Sequence, residues 1–305
     1  MGNYYGLMAA ILSPFFSSVS TIFKSEAAKD LSPLIVVSIG GIIGSIILFI
    51  IAAFRKEKIS KKLLKENVKD LSLLVILRFI AGEIIMTYGL ANTSAIKAIF
   101  FTKIEPFFVL ILAWFFLKEK IKAKYLLLLT IHLFGAILLS TGGFFLIPHF
   151  GDLLIIFSMF CFAASYISGK RISRNIGSTL GSAIPMSIAS LMLFPFAILL
   201  SYPHLFSYSS KGWEFLFIYV ILFNVVALTL WFFSLKLVKG WIVSALRYVG
   251  PILGAPVAYF MFGQTLGPAQ IIGACIIIMT SLLIAREHFI KEKKIDPEQI
   301  QDDNL

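Results

Sequence analysis

Charge is what this chain has least of. Only 14% of its 305 residues are Asp, Glu, Lys or Arg, whereas 59% are hydrophobic and mean hydropathy is +0.92, outside the range of an ordinary soluble domain. Cysteine is nearly absent. Cys161 and Cys275 both fall in long apolar runs, away from any oxidising aqueous phase, so neither a disulfide framework nor a zinc site is indicated and both read as packing residues. There is no G-x-x-x-x-G-K-[ST] loop, which excludes ATP hydrolysis by the chain itself, and no H-E-x-x-H helix. Nothing calls for a cofactor.

What is present in quantity is long apolar sequence. Stretches of about twenty residues, enough to cross a hydrocarbon core of roughly 30 Å as helix, recur at 4–23, 33–54, 71–90, 95–117, 125–146, 152–169, 180–201, 213–235, 241–262 and 266–285. The pattern predicts an all-α membrane protein with ten transmembrane helices. The first stretch is read as a mature span, because nothing positive precedes it and Ser13, Ser17, Ser18, Ser20 and Thr21 interrupt it.

The net charge of +11 is topological. With the N-terminus inside, twenty Lys and Arg residues fall on inner segments, including Arg55 to Lys69, Lys118 to Lys124, Lys170 to Arg174, Lys236, Lys239 and the tail. Only Lys24, Lys29, Lys97 and Lys211 fall outside. That bias predicts both termini in the cytoplasm and needs no nucleic-acid partner.

The chain also repeats itself. An offset of 145 residues lays Leu235 on Leu90, Pro251 on Pro106 and Tyr259 on Trp114; an offset of 146 lays Lys170 on Lys24. The period is five spans, so the second copy enters the membrane from the opposite side, an arrangement that serves alternating access. The predicted organisation is repeat 1 at 1–147, repeat 2 at 148–288 and a charged, disordered cytoplasmic tail at 289–305.

The stretch IEPFFVLILAWFFLKEKI resembles the first-repeat signature of the EamA-like transporters of the drug/metabolite transporter superfamily. VGPILGAPVAYFMFGQTL resembles its second-repeat partner, and FGDLLIIFSMFCFAASYISGKRISR the family's span 6. The departures are Gln264, where the second turn's glutamate is expected, and Arg247 ahead of Gly250-Pro251. The resemblance implies a carrier of ten helices in two inverted repeats, and it leaves the solute open.

Ionised groups at mid-membrane depth cost about 2.5 to 3.5 kcal/mol on insertion scales and normally face a bundle interior or a hydrated cavity. Arg78, Glu83, Lys103, Glu105 and Arg247 all fall within one central slab when heights are counted at roughly 1.5 Å per residue. Lys103 and Glu105 point about 200° apart on one helix, so both cannot enter the same narrow cavity. Glu83 matches Lys103 in height and is its expected partner. The plain alternative is that Glu83–Lys103 and Glu105–Arg247 only tie helices together. Asn224 and Tyr248 complete the candidate substrate-binding set. His132 on span 5 is expected to be a packing residue. The G-x-x-x-G step at Gly40 and Gly44 lets backbones approach, within a monomer or across a homodimer.

These readings predict a secondary active or exchange transporter in the cytoplasmic membrane, with export the expected direction. It would move a small polar, amino-acid-like or carboxylate-bearing metabolite by alternating access. Three deep cations against two deep carboxylates favour anionic or zwitterionic solutes, and Glu83 or Glu105 is the candidate for proton coupling. The alternatives are a multidrug exporter of lipophilic cations and, further off, an intramembrane enzyme, for which no nucleophile and base pairing is evident.

Overall fold

A computed structural model describes residues 2–57, 61–93, 98, 101–117, 123–142, 149–202, 207–250 and 267–293. Among the described residues every regular element is helical. In chain order they are α1 (Gly2–Asp30), α2 (Pro33–Phe54), the short α3 (Lys61–Glu66), α4 (Val68–Ala91), α5 (Glu105–Leu117), α6 (Ala123–Thr141), α7 (Phe150–Ala164), α8 (Tyr166–Asn175), α9 (Ser178–Ser201), α10 (Ser210–Leu237), α11 (Gly240–Leu246) and α12 (Pro268–Lys293).

Five of these, from Tyr4–Asp30, Pro33–Phe54, Val68–Ala91, Ser178–Ser201 and Ser210–Leu237, are long and apolar enough to cross a membrane. A sixth candidate is α7 with α8, bent by 41° at Ser165. Length and composition thus qualify five or six crossing helices among the described residues, and the fourth, fifth and ninth of the ten expected spans run over residues outside the described ones. Apolar segments at Glu105–Phe116, Leu126–Leu139 and Pro268–Thr280 are shorter. Most of the expected ninth span, and the tail from 294, lie outside the described residues.

The helices carry paired irregularities with a physical cause. Pro106 has no N–H to give the carbonyl of Thr102 and its ring crowds that carbonyl. The turn before it accordingly tightens into a 3₁₀ segment, Thr102–Ile104, with Glu105 N–H bonded back to Thr102 O. The same happens ahead of Pro251: Arg247–Val249 is 3₁₀, and Gly250 N–H returns to Arg247 O. Those two segments are 145 residues apart. Likewise α4 and α10 each contain a π-helical stretch, Leu74–Gly82 and Val220–Ala227, beginning 146 residues apart. A π stretch inserts an extra residue into the turn, and in each half it carries one polar residue, Arg78 and Asn224.

Small residues set the packing. A Cβ on Gly41 would stand 1.9 Å from Ser190 Oγ, and one on Gly44 would stand 2.7 Å from Asn224 Cβ. The glycine step of α2 therefore closes against α9 and α10 of the same chain. On the other side α6 meets α12, where a Cβ on Gly273 would stand 2.5 Å from Gly135 O. His132, fully buried, shares a 2.5 Å hydrogen bond with Thr280 across that pair. Cys161 is buried, but Cys275 is exposed, a correction to its expected packing role. Large apolar side chains such as Phe54, Phe115, Leu126, Phe196 and Leu199 stand exposed around the outside, the condition of a chain solvated by lipid.

Candidate functional site

A cavity opens between the two halves and encloses about 730 Å³ of non-atom space, its mouth included. Helix α1 supplies a polar stripe to it. Ser17, Thr21 and Lys24 follow one another at intervals of four and three, one face of a helix, and all three line the cavity with Ser18 and Ser20. Glu83 and Met86 come from α4, Thr102, Glu105 and Pro106 from the first proline break, Met159 and Phe162 from α7, Tyr219 and Phe223 from α10, and Arg247 from the second break. Close approach at the base depends on Gly250, whose Cβ would meet Ser18 Oγ at 2.4 Å and Pro14 O at 2.5 Å.

Two ion pairs organise this chamber. Lys24 Nζ donates to Glu83 Oε2 at 2.5 Å, with both side chains under a tenth exposed. Lys24 also stands 5.2 Å from the centroid of Tyr219, so the cation meets a carboxylate on one side and an aromatic face on the other. Arg247 Nη1 donates to Glu105 at 2.9 Å to Oε1 and 2.7 Å to Oε2. Glu105 is 1% exposed, whereas the Arg247 side chain keeps 22% of its surface open. The carboxylate is sealed, whereas the arginine side chain reaches the cavity surface. Tyr219 and Phe223 stack at 5.6 Å with rings 16° apart, an apolar shelf beside the charges.

The structure gathers Glu83, Glu105 and Arg247 of the sequence-selected residues into this cavity. It does not gather Asn224, whose Nδ2 donates to Gly40 O at 3.0 Å and whose Cβ faces Gly44. That side chain is a helix-to-helix tie, a correction to its expected solute contact. Arg78 is 3% exposed and lies 4.0 Å from the Trp231 ring centroid and 5.1 Å from that of Phe162, behind the cavity wall. The side chains of Lys103 and Tyr248 lie outside the described residues. Glu83 pairs with Lys24, because α1 runs beside α4 and presents its polar stripe there; the expected Glu83–Lys103 pairing falls on a side chain outside the described residues. Lys24 had been counted as an outer-loop charge; it is 5% exposed. Its signal in the sequence is the spacing of Ser17, Thr21 and Lys24, which charge counting by loop does not register. Tyr219 had no such signal among so many aromatics.

The description "EamA-like transporter family" matches the chain at residues 4–141 and again at 149–286. Among curated relatives, an "Uncharacterized transporter YetK" of Bacillus subtilis (strain 168) is 29% identical over 63% of this chain and 62% of its own length. A "Riboflavin transporter ImpX" of Fusobacterium nucleatum is 25% identical over 60% of this chain and 64% of its own. The matched part of the chain thus spans less than two thirds of those relatives. An "Uncharacterized transporter YoaV" of Bacillus subtilis (strain 168) is 22% identical over 81% of this chain and 85% of its own length. A solved crystal structure superposes with a TM-score of 0.69 over 93% of this chain and 95% of that one, at 14% identity, which concerns the fold alone.

Proposed function

Because the chain belongs to the EamA-like transporter family, we propose that it is a multi-pass secondary transporter of the cytoplasmic membrane that moves a small carboxylate-bearing metabolite, amino-acid-like in its polar groups, by alternating access. The observation that carries this reading is the Arg247–Glu105 pair. It crosses the seam between the two halves, with its acid sealed and its base open to the cavity. An incoming carboxylate can take the Arg247 N–H groups that Glu105 leaves free, and a solute amine can meet Glu83. Both termini inside, and two inverted repeats at 1–147 and 148–288, belong to the same reading. It is supported by the proline-linked breaks recurring 145 residues apart, which give each half its own hinge.

Movement draws on a gradient, in the direction of export, and Glu83 and Glu105 are the groups on which a coupled proton would ride. Transport that persists after the proton gradient is collapsed would assign exchange instead. Lipophilic cations are disfavoured, because Lys24, Arg78 and Arg247 outnumber Glu83 and Glu105 among the described deep side chains. A second reading, a neutral polyhydroxylated aromatic solute, draws on the Tyr219–Phe223 shelf and the serine stripe, and on the printed name of the riboflavin transporter relative.

Counterflow in proteoliposomes decides. Amino-acid-like carboxylates should exchange with the wild-type chain and not with Arg247→Met. Riboflavin counterflow without carboxylate counterflow would select the second reading, and preference for lipophilic cations would refute both.

A further inference from the structure

The central cavity has two ends of opposite hydrogen-bonding sense. At one, Arg247 presents donors only. At the other, the groups around the Lys24 ammonium accept. Glu83 Oε2 takes its bond at 2.5 Å, the Tyr219 ring centroid lies 5.2 Å away, and the Tyr219 hydroxyl faces the same carboxylate. Ser20 Oγ and Thr21 Oγ1 each donate to Ser17 O at 2.8 Å. Both hydroxyl protons are therefore committed to the backbone of α1, and what these two side chains offer the cavity they line is oxygen lone pairs.

A carboxylate, an aromatic face and acceptor oxygens are the recognition set for a primary ammonium group, and Lys24 brings one to it on a tether. The two ion pairs of the cavity differ in how they are held. Arg247 reaches both oxygens of Glu105, whereas Lys24 meets Glu83 as a point charge on a rotatable four-carbon stem. Exchanging the Lys24 tip for another alkylammonium leaves the charge, the donors and the aromatic contact at Glu83 unchanged. The room required is the room the Lys24 tip already occupies, beside the open cavity. The displaced lysine has a destination, because α1 ends at Asp30, about 9 Å further along the axis, and a lysine stem can snorkel in that direction. Arg78 is the other cation within electrostatic reach of Glu83. A zwitterion adds no net charge to Lys24, Arg78 and Arg247 on one side and Glu83 and Glu105 on the other, whereas a simple amine adds one more cation.

We propose that the place held by the Lys24 ammonium, between Glu83 and the Tyr219 ring, is the subsite for a primary ammonium group of the solute, and that Lys24 fills it as a tethered stand-in when the carrier is empty. The subsite rests on the reading of the cavity as that of an amino-acid-like solute.

The test removes the tethered ammonium and supplies a free one. Purified full-length chain in detergent, at constant pH and ionic strength, is unfolded thermally in n-propylammonium chloride, with sodium chloride and tetramethylammonium chloride as cations that carry no N–H. Lys24→Ala should lose stability and regain most of it, saturably, with n-propylammonium and with neither control. Lys24→Ala/Glu83→Gln should show no such gain. The wild-type chain should need at least about tenfold more amine for half-saturation, because a tethered competitor acts at an effective concentration of millimolar or above. Lys24→Gln, whose amide can still bond Glu83, carries the same expectations where Lys24→Ala does not fold. Equal recovery with sodium or tetramethylammonium, recovery in neither variant, or a wild-type chain that binds the amine as tightly as the variant each overturns the proposal. Amine recovery in a chain that exchanges no amino acid in counterflow refutes the solute reading of the cavity and leaves an ammonium site there. Amino-acid counterflow by the wild-type chain without amine recovery in the variants does the reverse, and reduces Lys24 to a fixed tie.

Discussion

Removing one member of the Lys24–Glu83 pair should do more harm than removing both. The two groups are 2.5 Å apart with side chains 6% and 9% exposed, and at an effective dielectric of about 20, unit charges roughly 3 Å apart attract by about 5 kcal/mol. Desolvation opposes most of that, so the intact pair contributes little net stability. Breaking it is another matter, since the survivor stays buried without its counter-charge, at a cost of roughly 3 to 5 kcal/mol. Lys24→Met and Glu83→Gln should each lose that much, and Lys24→Met/Glu83→Gln should return to within about 1 kcal/mol of the wild-type chain, a large coupling energy in a double-mutant cycle. The assay is thermal or denaturant unfolding in one detergent, set beside counterflow in proteoliposomes. Transport should stay lost in the double variant although stability returns, because the cavity has lost one of its two charge pairs. Additive losses would refute the coupling, and a double variant that regains transport with stability would reduce the pair to a helix tie.

Other consequences are separable from that one. Arg247→Lys keeps the charge but not the planar fork, so counterflow should fall by about tenfold with unfolding unchanged. Pro106→Ala restores an N–H opposite Thr102 O and lets the 3₁₀ turn relax to α-helix; it should slow transport without lowering stability, and a variant transporting at the wild-type rate would remove that break from the mechanism. Gly44→Ala would press a methyl 2.7 Å from Asn224 Cβ, an overpacking cost of about 1 to 3 kcal/mol visible as a lower unfolding midpoint. Thr280→Val removes the His132 contact between α6 and α12 and should cost about 0.6 to 1.7 kcal/mol while sparing counterflow.

The sequence foretells the helices and their breaks better than it foretells the partners of the charges. Apolar length and proline position act locally: Pro106 tightens its own turn whatever surrounds it, so a repeat seen as Pro106 over Pro251 predicts irregular backbone in both halves. Pairing of charges is set by which helix lies beside which, and height alone does not carry that. Glu83 and Lys103 match in height, yet α1 is the neighbour of α4 and brings Lys24. Asn224 was chosen for depth and polarity, the two properties it also needs to bind a backbone carbonyl on α2.

Comparing equivalent positions shows what each half keeps and what it changes. The backbone devices recur, a π stretch in α4 and α10 and a 3₁₀ turn before each proline, because they give each half a place to bend. The side chains they carry do not recur. At the offset of 146 that aligns the starts of the π stretches, Arg78 corresponds to Asn224, and Lys24 corresponds to Lys170; at the offset of 145 that aligns their ends, Glu83 corresponds to Leu228. A lysine and a leucine cannot form the ion pair that Lys24 and Glu83 make, and an asparagine bonded to Gly40 O cannot carry the charge of Arg78. Span 6 is bent at Ser165, whereas its counterpart α1 runs unbroken from Gly2 to Asp30. On the proposed alternating-access reading, the two halves would exchange shapes without exchanging energies. The two forms of such a carrier would differ in stability, and the charges concentrated on one side of the seam would set the difference that a bound solute must overcome.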